Sequence, residues 1–283
     1  MGRSCRRGRI RSGALTVASP ERDDEGDPGR DELAIVLQAT LDLTAPGMLP
    51  SWYLNDQVGI VQQERAGRDV RLLERLARLY PAVVSDCLDR LGYRRQVMDP
   101  HIRPLYPAAR LAGFAATVHC AEVDALPANP DDYYKSELQA VDALRPGDVM
   151  VVSTCRASYW GELLATASRY RGAVGIIADA YTRDTDKLIA MQFPTFVAGI
   201  SAYDSLGRIE VDGVGVPITC AGVAVNPDDL LLADYDGVVV VPGEIAEEAI
   251  SRAEEKASGE NLVRDELAAG MPVWEAFRTY GVI

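Results

Sequence analysis

The sequence is short of the side chains on which much metal and covalent chemistry depends. It has only two histidines, His101 and His119, so a centre built on three imidazoles is excluded by counting. Its only lysines are Lys135, Lys187 and Lys256, which leaves few candidates for a Schiff base. The five cysteines, Cys5, Cys87, Cys120, Cys155 and Cys220, are scattered and form no C-x-x-C. Neither a disulfide framework nor a thiolate zinc site is expected, and a reducing, cytoplasmic compartment fits. No apolar run approaches about 18 residues, so neither a membrane span nor a membrane partner is expected. Positive charge is also scarce. A net charge of −13 argues against nucleic acid as a partner, because phosphate-backbone binding needs a basic face. An anionic small molecule stays compatible, since one arginine in a cleft reverses the local field.

The 283 residues suit one large domain or two small ones. Residues 1–30 hold Arg3, Arg6, Arg7, Arg9 and Arg11, then a polar run from Glu21 to Asp27, and have little that can bury a core. They read as a disordered basic and acidic tail, with a functional basic arm as the alternative. No apolar segment follows the arginines, which speaks against a signal peptide. Residues 31–67 read as an extension that docks on the domain or its neighbour. In it Leu33 to Leu37 suit a strand or short helix, and Pro46, Gly47 and Pro50 break the chain.

From residue 68 to residue 283 the pattern is that of one α/β domain. Val70, Leu72, Leu73, Leu76 and Leu79 recur at helical spacing, and Pro81 opens a second helix over 82–91 that ends at Gly92. Strands are expected over 113–123, 149–152, 173–178 and 195–198, and helices over 133–144, 162–171 and 185–191. Short strands over 217–225, 229–233 and 237–241 suggest a compact sheet or barrel-like layer. A helix over 244–258 and two further helical stretches complete the chain.

Two strand-to-helix junctions carry the chemistry. The first is Trp160-Gly161-Glu162-Leu163-Leu164-Ala165-Thr166. A helix start points unpaired N–H groups and a positive dipole end at whatever lies above it, which suits an anion. Gly161 allows a ligand close to the backbone, and Glu162 can hold a water or accept a proton. The local alternative is an ordinary acidic first turn with a Leu163–Leu164 core contact. The second junction runs from Ile176 to Asp184: a buried strand delivers Asp179, a turn follows, and Arg183-Asp184 open the next helix. Arg183 offers a fork that matches a carboxylate, and Asp184 a hard oxygen ligand for Mg²⁺ or Mn²⁺. The local alternative is that Asp184 caps its helix while Arg183 makes a surface ion pair. In a parallel layer both junctions face one crevice. The set fits an α-keto acid whose enolate is stabilised beside a metal as a C–C bond breaks.

At these residues the sequence resembles the RraA-like family, which includes 4-hydroxy-4-methyl-2-oxoglutarate aldolases. The matching stretches are Val84 to Gly92, Pro146-Gly147-Asp148-Val149, Gly161 to Thr166, Arg183-Asp184, Phe193-Pro194 and Ala233 to Pro242, in order over roughly residues 70–281. The resemblance implies an α-β-β-α sandwich of the swivelling β/β/α type, here with an N-terminal extension. It also implies a homotrimer or a hexamer of trimers, and sites at subunit interfaces. It implies Mg²⁺ or Mn²⁺ on Asp184, a keto acid held by Arg183, and a carboxylate cradle in the amides of Leu163 and Leu164. Glu162 stands where the aldolases carry an acidic residue near a metal-bound water. The chain departs from the family at Ala180, where many members have glycine, and in having Glu162 rather than the shorter aspartate.

The resulting expectation is a class II, metal-dependent pyruvate aldolase that cleaves a 4-hydroxy-2-oxo acid, with oxaloacetate decarboxylation as a side reaction. Three alternatives stand beside it: a Schiff-base aldolase, a non-enzymatic regulator of a ribonuclease acting through protein contacts, and a metal enzyme for another oxyacid with Tyr181 lining a larger pocket. His119 is expected to be a satisfied core residue. Asp234 and Asp236 are expected to serve a turn.

Overall fold

The structure, a computed structural model, describes residues 68–282. The tail over 1–30 and the extension over 31–67 lie outside the described residues. The domain begins with two helices, α1 (Val70–Leu76) and α2 (Pro81–Arg90). Asp69 caps α1 by accepting from the Arg71 amide at 2.9 Å. Pro81 sits in the first turn of α2, where its missing N–H costs nothing.

The strands are β1 (Arg103–Pro104), β2 (Leu111–Glu122), β3 (Asp148–Val152), β4 (Ser158–Trp160), β5 (Gly175–Thr182), β6 (Thr195–Ile200), β7 (Ile209–Val214), β8 (Ile218–Cys220), β9 (Val223–Val225), β10 (Leu230–Ala233) and β11 (Val238–Val241). Helices α3 (Lys135–Asp142), α4 (Glu162–Tyr170) and α5 (Thr185–Met191) lie between strands, and α6 (Ala246–Ala268) and α7 (Val273–Tyr280) close the chain. The main sheet runs β1-β6-β5-β3-β2-β10-β11, with β4 added to β5 and β7 to β2, and it is curled like a half-barrel. Strands β2, β3, β5 and β6 are parallel neighbours, whereas β10 returns antiparallel on β2. The expected barrel-like layer of the last third is therefore mostly part of this sheet. Only β8 and β9 stand apart, as a hairpin.

The continuous apolar runs follow from burial on both faces. Val149 and Val151 of β3 join a core with α1, α2, α6, β10 and β11, while Met150 and Val152 join a second core with Ala165 of α4 and Leu188 of α5. The α/β expectation holds, with helices on both faces.

Several boundaries differ from expectation. The helix expected over 133–144 starts only at Lys135, because Tyr134 is left-handed at φ 55°. Ala180 to Thr182, expected as a turn, continue β5 beside β4 and β6. The last large helix runs ten residues beyond Ser258, through Gly259; packing of Val263 outweighs the roughly 1 kcal/mol that glycine costs inside a helix. Strands β1, β4 and β7 were not expected. They are short or edge elements whose burial comes from partners distant in sequence.

Candidate active site at the β4–α4 and β5–α5 junctions

Parallel pairing of β4 with β5 places the two junctions side by side. Trp160 pairs with Thr182, and the Trp160 carbonyl accepts from the Arg183 amide at 3.0 Å and the Thr182 hydroxyl at 3.1 Å. The chain leaves this tie in two directions, to Gly161 and α4 on one side and to Arg183-Asp184 and α5 on the other. Trp160 is buried and stacks on Phe193 with ring centroids 5.9 Å apart, so it packs the floor rather than lining an opening.

Asp184 is the residue before α5, yet its side chain makes no capping bond to that helix. Its backbone is left-handed, at φ 56° and ψ 35°, and its Oδ2 instead accepts from the Glu162 amide of α4 at 3.3 Å. Helix α5 begins at Thr185, as expected. The contact depends on Gly161. A Cβ at that position would lie 2.8 Å from Asp184 Oδ2 and 3.5 Å from Arg183 Cγ. The backbone of Gly161 is extended, so it is the space, not the dihedral angle, that calls for glycine.

The acidic group of Glu162 is held on its own helix. Thr166 donates to Oε1 at 3.1 Å and Lys187 Nζ lies 3.9 Å from Oε2. Leu163 is 76% exposed, whereas Leu164 is half-buried and packs on the second core with Ala165 and Ala167, so the expected core contact is made by Leu164 and not by Leu163. As first-turn residues, Leu163 and Leu164 have amides without intrahelical acceptors. Arg183 is half-buried and its Nη1 lies 3.2 Å from Asp204 Oδ1. The structure thus brings together Gly161, Glu162, Leu163, Leu164, Arg183 and Asp184.

A family model described as RraA-like, Aldolase/RraA, matches residues 81–240. The chain belongs to the RraA-like family. Among RraA-like relatives, a protein of Halalkalibacterium halodurans provisionally named 4-hydroxy-4-methyl-2-oxoglutarate aldolase is 30% identical over 176 residues, covering 61% of this chain and 77% of that protein. Protein DlpA of Legionella pneumophila is 24% identical over 212 residues, covering 74% of this chain but 34% of its own length. An uncharacterized protein from Pseudomonas syringae pv. tomato has a similar solved structure, with TM-score 0.68 and 27% identity over 77% of this chain and 97% of that one. So has Streptomyces coelicolor RraAS2, an unusual member of the RNase ES inhibitor RraA protein family, at TM-score 0.64 and 26% identity over 70% and 99%.

Other polar residues of this RraA-like domain are engaged elsewhere. Asp179 does not share the site. It sits at an irregularity of β5 and accepts from His101 Nε2 at 2.7 Å, from the Ala221 amide at 3.3 Å and from the Thr154 hydroxyl. His119 is not a core residue: on the outer face of β2 it is half-exposed and 2.5 Å from Asp212 of β7. Asp234 does form the expected turn, accepting from the Asp236 amide at 2.9 Å. No local pattern signals His101–Asp179 or Asp204 beside Arg183, because the partners are distant in sequence.

Proposed function

We propose that this RraA-like chain is a divalent-metal-dependent lyase that cleaves the C–C bond of a 4-hydroxy-2-oxo acid and releases pyruvate. The observation that supports it most is the convergence of the Asp184 carboxylate, the start of α4 and Arg183 across the Gly161 gap.

The donor set fits a hard cation. Asp184 Oδ1 has no protein partner among the described residues, Glu162 supplies a second carboxylate nearby, and both histidines are engaged elsewhere. Among the described residues no three ligating side chains converge, so a Mg²⁺ or Mn²⁺ ion held here would keep several waters. Bound at Asp184, either ion supplies a Lewis acid for the 2-oxo group. The chain supplies the rest. Arg183 and the amides of Leu163 and Leu164 hold the substrate's carboxylate. Glu162 takes the 4-hydroxyl proton, the C3–C4 bond breaks, the C4 oxygen becomes a carbonyl, and the electron pair passes to the pyruvate enolate. Lys187, with Nζ 3.9 Å from Glu162 Oε2, faces the same carboxylate.

A Schiff-base route finds no support, because all three lysines are ion-paired: Lys135 with Asp132, Lys187 with Glu162, and Lys256 with Asp86 and Glu260. The exposed apolar side chains Leu163, Ile189, Ile200 and Tyr203 on segments next to the site favour a homotrimer or hexamer in which a second copy covers this face. The likeness to RraAS2 favours a second reading, a regulator that binds a ribonuclease without turnover. Assay of the full chain against a panel of 2-oxo acids with Mg²⁺, Mn²⁺ or EDTA separates the two. Metal-dependent pyruvate release supports the lyase; a stable ribonuclease complex with no turnover supports the regulator.

A further inference from the structure

Arg183 is one member of a braced set. The Asp204 carboxylate that meets it is held from two more directions: Tyr134 donates to Oδ2 at 2.5 Å and the Ser205 amide to Oδ1 at 2.9 Å. Tyr134 reaches this position from a left-handed backbone, φ 55° and ψ 4°, which a residue with a Cβ adopts only where its surroundings hold it. Glu137, one turn along α3, lies where it feels the charges of Asp204 and Arg183. On its other side the Arg183 stem passes Gly161, its Cγ 3.5 Å from where a Cβ would stand, an ordinary packing distance. Three segments, 134–137, 183 and 204–205, therefore converge on one guanidinium at the edge of the site.

We propose that Asp204, braced by Tyr134, is the positioning residue for Arg183: it fixes one arm of the guanidinium and so presents the remaining N–H groups to the substrate's carboxylate. The identity of that ligand rests on the keto-acid reading; the brace does not. A free arginine samples many rotamers, and ordering it before the ligand arrives removes that cost from the binding step. Asp204 acts through Arg183 and forms no bond to reacting atoms.

The test uses Asp204→Asn and Tyr134→Phe in the full chain, both close in shape to the native residues, with two readouts. The first is the rate at which phenylglyoxal labels Arg183, followed by peptide mass spectrometry against exposed Arg71 as internal reference. We expect about a tenfold rise in Asp204→Asn and a smaller rise in Tyr134→Phe. The second is steady-state kinetics with a pyruvate-releasing substrate, where KM should rise about tenfold in Asp204→Asn while kcat stays within about threefold. Unchanged Arg183 labelling in both variants overturns the proposal, and so does an unchanged KM in a chain that turns substrate over. If the wild-type chain cleaves no 2-oxo acid, the lyase reading fails on its own and the labelling ratio alone decides the brace.

Discussion

Asp184 stands at the start of one helix and serves another: its Oδ2 accepts from the Glu162 amide at 3.3 Å while making no bond to the amides of α5. A side chain that ignores its own helix, on a residue held at φ 56°, is poorly explained by stability. Asp184→Gly should therefore leave the fold intact, within about 1 kcal/mol of wild type in urea unfolding, because glycine adopts this conformation freely. Turnover should disappear. A loss of several kcal/mol would show that Asp184 is a structural residue.

Gly161 gives a steric counterpart. Gly161→Ala puts a Cβ 2.8 Å from Asp184 Oδ2, so the carboxylate must move although the backbone is unstrained. We expect kcat/KM to fall about 100-fold with a thermal midpoint close to wild type. Wild-type kinetics in this variant would mean that the Asp184–α4 contact has no part in turnover.

Glu137 links the brace to pH. Burial, opposed by the Ser205 hydroxyl and increased by the Asp204 carboxylate, pushes its carboxyl up to about 7 from 4.5. The folded state then binds the proton more tightly than the unfolded state. The stabilisation is fully present below about pH 4.5 and is lost as pH rises to about 7. Glu137→Gln should remove this loss, so the variant is more stable than wild type at pH 8 and the two converge toward pH 4.5. Parallel thermal-midpoint profiles for the two proteins would contradict the assignment.

Arg68 anchors the first described residues. Its side chain is 9% exposed, lies 2.5 Å from the nearly inaccessible Asp148 carboxylate, also meets Asp228, and stacks 4.9 Å from the Phe114 ring centroid. Arg68→Ala leaves Asp148 buried without that cation and should cost about 3 kcal/mol. Arg68→Lys should recover only part, since one ammonium replaces a fork that reaches two carboxylates. Equal urea midpoints for Arg68→Ala and wild type would exclude this role.

The sequence showed the parts of the fold that local pattern determines. The runs at 149–152 and 173–178 read as buried strands because both faces are covered, and the glycine and acidic residue after Trp160 marked a helix start. The pairing of the two junctions was legible as well, since parallel strands gather their C-terminal ends at one edge. What escaped depends on distance in sequence. Strand β4 is three residues long and exists through pairing with β5. Asp204 meets Arg183 across β6 and a loop, and Tyr134 takes a dihedral angle that no tyrosine propensity suggests. His119 looked apolar by its neighbours in β2, yet the alternation of the strand turned it outward to Asp212.

The most direct measurement is pyruvate release from 4-hydroxy-4-methyl-2-oxoglutarate by the full chain, comparing wild type with Asp184→Asn, each with Mg²⁺ or Mn²⁺ and again after EDTA. Wild type should release pyruvate in a way that EDTA abolishes and metal restores, and Asp184→Asn should release none above background at an unchanged thermal midpoint. Equal release by the two proteins, or release that survives EDTA, would contradict metal-dependent cleavage at Asp184.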